Sequence, residues 1–234
     1  MVEKVKGIVL RKFDFNDNKD IVKIYTETGT NSYMCYRKSK GSNVAALQPM
    51  TLVNFCSEKK HASDFAFLKD VQYISSVSSE GYELTKTAVA MFINEVLYKL
   101  LFNAGEDADL FDFFYQTLHE FYSHSFSPDF HLRFLLHSAM RLGSMPMDNY
   151  SQGSVFNIID ARFDQQTANE MDKMTAYYLH ELLNSPIFPT SQADIVPYSI
   201  RNSLLDTLLK YYTVHIIDLS ALHSLDVLRT VLHE

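Results

Sequence analysis

The stretch D-I-V-K-I-Y-T-E-T-G-T-N-S-Y-M-C-Y, residues 20–36, decides the fold of the first third of the chain. Two runs of β-formers, Asp20–Thr26 and Asn31–Tyr36, flank the turn residues Thr28-Gly29-Thr30. In the second run Tyr33 and Cys35 face one side and Met34 and Tyr36 the other, the period-two alternation of a strand. Upstream lies Val5–Phe13, separated by the Asn16-Asp17-Asn18 break; downstream come Thr51–Ser57 and Phe65–Ser75. Five strands this closely spaced leave no room for crossover helices, so the pattern predicts a small antiparallel barrel. A five-stranded OB-type barrel is the natural candidate, and an SH3-like barrel fits the strand count almost as well.

From Thr85 the period changes to that of a helix. Ala88, Met91, Phe92, Glu95, Val96, Lys99 and Leu100 recur at helical spacing until Asn103-Ala104-Gly105. A second helix is predicted from Asp107 to Tyr122, with acidic residues at its start as the helix dipole prefers. A third opens at Ser127-Pro128-Asp129; its apolar stripe is Leu132, Leu135, Leu136, Ala139 and Met140, and Arg133, His137 and Arg141 fall four apart on another face. Val155–Phe163 reads as a short extended segment or hairpin. Asn169–Leu183, Ser199–His215 and Leu219–Leu232 read as the last helices. The expected architecture is therefore α+β and multidomain, an OB-type β-barrel over 1–78 followed by an all-α helical domain over 79–234.

Charge divides the same way. Residues 1–78 carry 12 Lys+Arg and 8 Asp+Glu, a net of +4, and the remainder carries 9 and 20, a net of −11. An anionic partner for the first part alone follows from this asymmetry. The basic cluster Arg37, Lys38 and Lys40 sits in the turn after the third strand, around Gly41 and Ser42, and Lys59-Lys60 in the hairpin between the last two strands. Lys and Arg of that kind track phosphates, and exposed rings stack on bases. Lys4, Lys6, Arg11, Lys12 and Lys23 join the candidates, with Tyr33 or Tyr36 as stackers. The competing reading is a solvated hairpin tip and, for each tyrosine, a place in the core.

Catalytic chemistry has little to stand on. The seven glycines do not cluster, so no phosphate-binding loop is present, and no G-x-S-x-G elbow occurs. His119, His124, His131 and His137 lack the spacing of helical metal ligands, and Asp107, Asp109 and Asp112 match a helix dipole better than acid–base work. No enzyme activity, metal or other cofactor is expected. Cys35 and Cys56, each within a predicted strand, read as buried thiols of a reducing compartment. The N-terminus lacks the apolar run of a signal peptide and no stretch is long enough to span a membrane, so a cytoplasmic protein is expected.

The order G-I-V-L-R, D-I-V-K-I-Y-T-E-T-G, S-Y-M, R-K-S-K, L-Q-P over Gly7–Pro49 resembles the N-terminal domain of the RecO family of bacterial recombination mediators. F-I-N-E-V-L-Y-K-L-L (92–101), F-H-L-R-F-L-L with L-G (130–143) and L-L-K-Y-Y-T-V-H with S-L-D-V-L (208–228) are similar to that family's helical domain. The resemblance implies a non-catalytic protein that binds single- and double-stranded DNA and anneals complementary strands. It also implies that the protein works with RecR and the single-strand-binding protein SSB to load recombinase. By the same resemblance Arg37, Lys38 and Lys40 become first choice for phosphates, with Arg11, Lys12, Lys59 and Lys60 beside them. Arg133, with His137 and Arg141, becomes the docking place of the SSB C-terminal tail. Many relatives carry a four-cysteine zinc module after the third helix; 144–167 contains no cysteine, so zinc is not expected. A rival from another class is a protein adaptor whose barrel binds proteins and never touches DNA.

Overall fold

The computed structural model describes residues 4–37, 47–59, 65–76, 84–165, 170–188 and 196–232. The first third closes into a barrel. β1 (Val5–Asn16) pairs antiparallel with β2 (Lys19–Thr26), and β2 with β3 (Gly29–Tyr36). On its other edge β1 pairs with β4 (Leu52–Lys59), which in turn pairs with β5 (Ala66–Ser75). A short parallel contact of β3 with β5, Tyr33 opposite Ala66 and Met34 opposite Phe67, closes the ring in the order β1-β2-β3-β5-β4. This is the OB-type closure, chosen over the SH3-like alternative. Register shifts between Val9 and Arg11 and between Asp14 and Asn16 bend β1 around the barrel.

Alternation decides the inside. Val9, Val22, Ile24, Tyr33, Cys35, Val53, Phe55, Leu68 and Val71 form the barrel core, and Tyr33 meets Phe55 edge-on at 5.1 Å. Of the neighbouring tyrosines, Tyr33 is thus the core residue and Tyr36 the outer one. Cys56 on β4 is also buried.

The chain forms two compact units, Met1–Ser125 and Phe126–Glu234. The expected domain boundary at 78/79 lies well before this division, because α1 (Leu84–Leu100) and α2 (Ala108–Ser123) belong to the same compact unit as the barrel. Thr30 N–H donates to Ala104 O at 2.9 Å and Asp107 N–H to Glu27 O at 3.1 Å, and the Tyr122 hydroxyl donates to Met50 O. Gly29, at φ +101°, sits where the α1–α2 connection comes closest; a Cβ there would lie 2.5 Å from Ala104 O. α1 turns Ala88, Phe92, Ile93 and Val96 inward but leaves Met91 half exposed, so Met91 is not part of the buried stripe.

The second unit holds α3 (Phe130–Arg141), the hairpin β6 (Val155–Asn157) and β7 (Arg162–Asp164), α4 (Glu170–Leu183), α5 (Tyr198–His215) and α6 (Ser224–Leu232). α6 starts five residues later than the leucine spacing predicts: Ser220 N–H bonds the Asp218 carboxylate in a turn, although Leu219 and Leu222 remain buried. Among the described residues no helix is long and apolar enough to cross a membrane.

Candidate nucleic-acid interface

The outer face of β1, β2 and β3 carries Arg11, Lys19 and Lys23, three of the barrel's cations. Strand pairing sets Arg11 opposite Lys23 and Lys19 opposite Tyr36. Lys19 Nζ lies 5.3 Å from the Tyr36 ring centroid and 5.5 Å from that of Phe67, and the two rings stack 5.5 Å apart at 21°. Tyr36 keeps 40% of its surface exposed, so a planar base has a ring to meet and an ammonium beside it. In barrels of this topology the β2–β3 face and the β1–β2 and β4–β5 loops are the places where oligonucleotides lie.

Arg37 stands at the β1–β2 end of that face, held there by its N–H bond to Asn18 O at 3.0 Å. Its guanidinium is already engaged: Nε donates to Asp20 at 2.6 Å and Nη2 to Asp14 at 2.7 Å. Asp20 is buried at the mouth of the barrel, with Lys12 Nζ 4.0 Å away, whereas Asp14 stands in solvent. Hydrogen bonding to Asp20, then the neighbouring acids, hold the Arg37 pKa above its ordinary value. Two local carboxylates thus occupy the fork that a phosphate needs.

The other sequence candidates divide. Lys59 is exposed at the end of β4, opposite Ala66. Lys38, Lys40 and Lys60 lie outside the described residues. Lys4 reaches Gln72, Lys6 lies over the Tyr115 ring, and Arg11 is exposed beside the Phe13 ring. Lys19 was not among the sequence candidates. The i, i+2, i+4 row Lys19, Ile21, Lys23 on one face of β2 was the signal that would have found it.

In the second unit, Arg133 does not lie on the surface. Only 1% of it is exposed, and both edges of its fork are used. Nε and Nη2 bond the Asp129 carboxylate at 3.3 and 3.2 Å, while Nη1 donates to Ser185 Oγ at 2.7 Å and Pro186 O at 2.8 Å. Asp129, fully buried, also accepts from Val196 N–H at 3.1 Å and from the Ser127 hydroxyl at 2.6 Å. The spacing of four that predicts a surface line of charge instead lets Arg133 fold back on the residue one turn earlier. His137 Nε2 donates to Ser185 O at 3.0 Å, and burial, ahead of the Arg133 and Arg141 charges, lowers its pKa. Of the three residues Arg141 alone is exposed. Among the described residues no group of three or more His, Cys, Asp or Glu side chains is arranged to hold a metal ion.

The family model described as Recombination protein O N terminal matches residues 1–77, and that described as Recombination protein O C terminal matches 81–218. The chain is similar to the DNA repair protein RecO of Bacteroides fragilis, 28% identical over 239 residues and covering 98% of both chains. It is also similar to that of Phocaeicola vulgatus, 28% identical over 250 residues with 98% of each covered, and to that of Flavobacterium psychrophilum, 26% identical over 233 residues with 97% of this chain and 98% of the relative covered.

Proposed function

The chain belongs to the recombination protein O family of DNA repair proteins, and from that premise we propose that it is a non-enzymatic recombination mediator of the cytoplasm. It binds DNA through the barrel, promotes annealing of complementary strands and, with RecR, helps load recombinase onto SSB-coated single strands. The observation that carries this reading is the outer β1–β2–β3 face, where Arg11, Lys19 and Lys23 alternate with exposed rings. Lys59 at the end of β4 and Lys12 and Arg37 at the barrel mouth add phosphate contacts, and Lys38, Lys40 and Lys60 join them as sequence candidates outside the described residues. The helical unit, acidic overall, serves protein partners. The acidic SSB tail meets α3 at Arg141, while Arg133 and His137 hold the α4 end behind it; a carboxylate could reach Arg133 only by displacing Ser185 and Pro186.

Annealing of complementary oligonucleotides coated with SSB tests the function directly: the chain alone is expected to accelerate it. Replacing Lys38 and Lys40 with Ala is expected to flatten the log K against log salt slope for single strands by about 1.4, two phosphate contacts at roughly 0.7 each. Binding that is insensitive to salt, with no acceleration of annealing, would favour the adaptor reading.

A further inference from the structure

We propose that an unpaired DNA strand stacks its bases on a strip of alternating rings and cations that leaves the barrel and continues onto the end of α1 and the turn after it, with Phe13, Tyr98 and Phe102 as the rings and Arg11 and Lys23 as the phosphate contacts between them. The proposal rests on the DNA-binding reading above and extends it past the barrel. The strip is continuous in space. The Arg11 guanidinium lies between two rings, 5.1 Å from the centroid of Phe13 and 5.1 Å from that of Tyr98. Tyr98 meets Phe102 edge-on at 5.4 Å, and Lys23 Nζ lies 3.3 Å from the Phe102 centroid and donates to Phe102 O at 2.9 Å.

Three features point to an unpaired strand as the occupant. Phe13 and Phe102 are 39% and 43% exposed and stand at the two ends of a line of ring and cation contacts through Arg11 and Tyr98, so base faces have ring surface to meet along one line. Arg11 and Lys23 stand directly opposite each other on paired strands, a like-charge placement that costs stability and that a phosphate between them relieves. Lys23 is partly desolvated, which lowers its pKa and raises the gain from an anionic neighbour. Rings recognise the faces of bases whatever their sequence, and a duplex hides those faces, so the strip selects single strands without reading them. α1 follows the barrel in sequence, so no inspection of the strands alone finds Tyr98 and Phe102.

The chain contains no tryptophan, so Phe102→Trp makes a sole indole reporter on the strip. Its fluorescence is expected to be quenched by a base-bearing oligonucleotide and not by an abasic one of equal length. In parallel, the full chain carrying Tyr98→Leu and Phe102→Leu, which keeps apolar bulk, is expected to lose roughly tenfold in affinity for the base-bearing strand. Its affinity for the abasic strand and its salt slope are expected to stay as they were. If the unaltered chain binds DNA but the double variant binds the base-bearing strand equally well, or the indole is not quenched, the strip is overturned and the barrel reading stands. If the unaltered chain binds no DNA at any salt concentration, both fall together.

Discussion

Two Arg–Asp pairs, one in each compact unit, use the same chemistry for opposite ends. Arg37 faces Asp14 and Asp20 at the mouth of the barrel, with about a third of its side chain and most of that of Asp14 in water. Arg133 faces Asp129 with both side chains sealed from solvent, and the pair's remaining bonds go to three segments: the end of α4, residue 196 and the Ser127 turn. An exposed pair exchanges one partner for another at little cost, because water screens both states. A buried pair cannot, because removing one member leaves an uncompensated charge in a medium that does not solvate it. The Arg37–Asp14 half of the barrel pair is thus suited to yielding to an external anion while buried Asp20 keeps Nε, and the helical pair to holding three segments in register.

The largest expected effect breaks the second half of that contrast. Arg133→Ala leaves Asp129 buried without its counter-ion and is expected to destabilise the chain by about 3–5 kcal/mol, read as a lower denaturant midpoint. A loss below about 1 kcal/mol would mean that the pair behaves as a surface pair and that Arg133 is open to ligands. Loss of SSB-tail binding in an Arg133 variant therefore needs a stability measurement beside it before it speaks for a contact.

A second effect concerns the neighbouring residue. Burial lowers the His131 pKa from 6.5 to about 4, the Asp129 charge opposing and the Arg201 charge reinforcing the shift. Below pH 6.5 the unfolded chain binds a proton that the folded chain refuses. Stability that is fully present above 6.5 therefore drains away as pH falls through about 4, by ~3 kcal/mol in all. His137, lowered in the same direction, adds to the slope. Urea midpoints taken from pH 7 to pH 4 are expected to fall steeply for the unaltered chain and less steeply for His131→Gln. Equal slopes would remove His131 as the source.

These two residues also mark where the sequence stops being legible. Alternation over 20–36 was enough for the barrel, because a strand's inside and outside are written two residues apart. That one of Tyr33 and Tyr36 must be buried was likewise readable, although which one depended on Phe55 and Phe67, brought in by β4 and β5. The spacing Asp129-x-x-x-Arg133 permits an ion pair on any helix. Its burial is decided by Ser185, Pro186 and Val196, more than fifty residues away, and nothing local announces them. The division at 125/126 was hidden for the same reason: the helical period of α1 and α2 says helix, not which neighbour the helix packs on. Of the interface, the charges were legible as residue types; that Arg37 is already partnered, and that Tyr98 and Phe102 line up with Arg11 and Lys23, are facts of pairing across the sheet and onto α1.

The smallest effect tests the barrel half of the comparison. Asp14 is 87% exposed and bonds only the outer edge of Arg37, so Asp14→Asn is expected to leave the unfolding midpoint nearly unchanged while Asp20 still holds Nε. With Nη2 released toward solvent, single-strand affinity is expected to rise a few-fold and the salt slope to steepen by up to about 0.7, one further phosphate contact. Arg37→Ala provides the complement. Both changes remove one positive charge, but Asp14 and Asp20 already fill the Arg37 fork, so its loss breaks no bond to phosphate and is expected to weaken binding less than Lys38→Ala does. Should Arg37→Ala cost more than the lysine change, with Asp14→Asn neutral, the two acids do not compete with phosphate. They would then orient the fork toward it, and the exposed pair would be as fixed in purpose as the buried one.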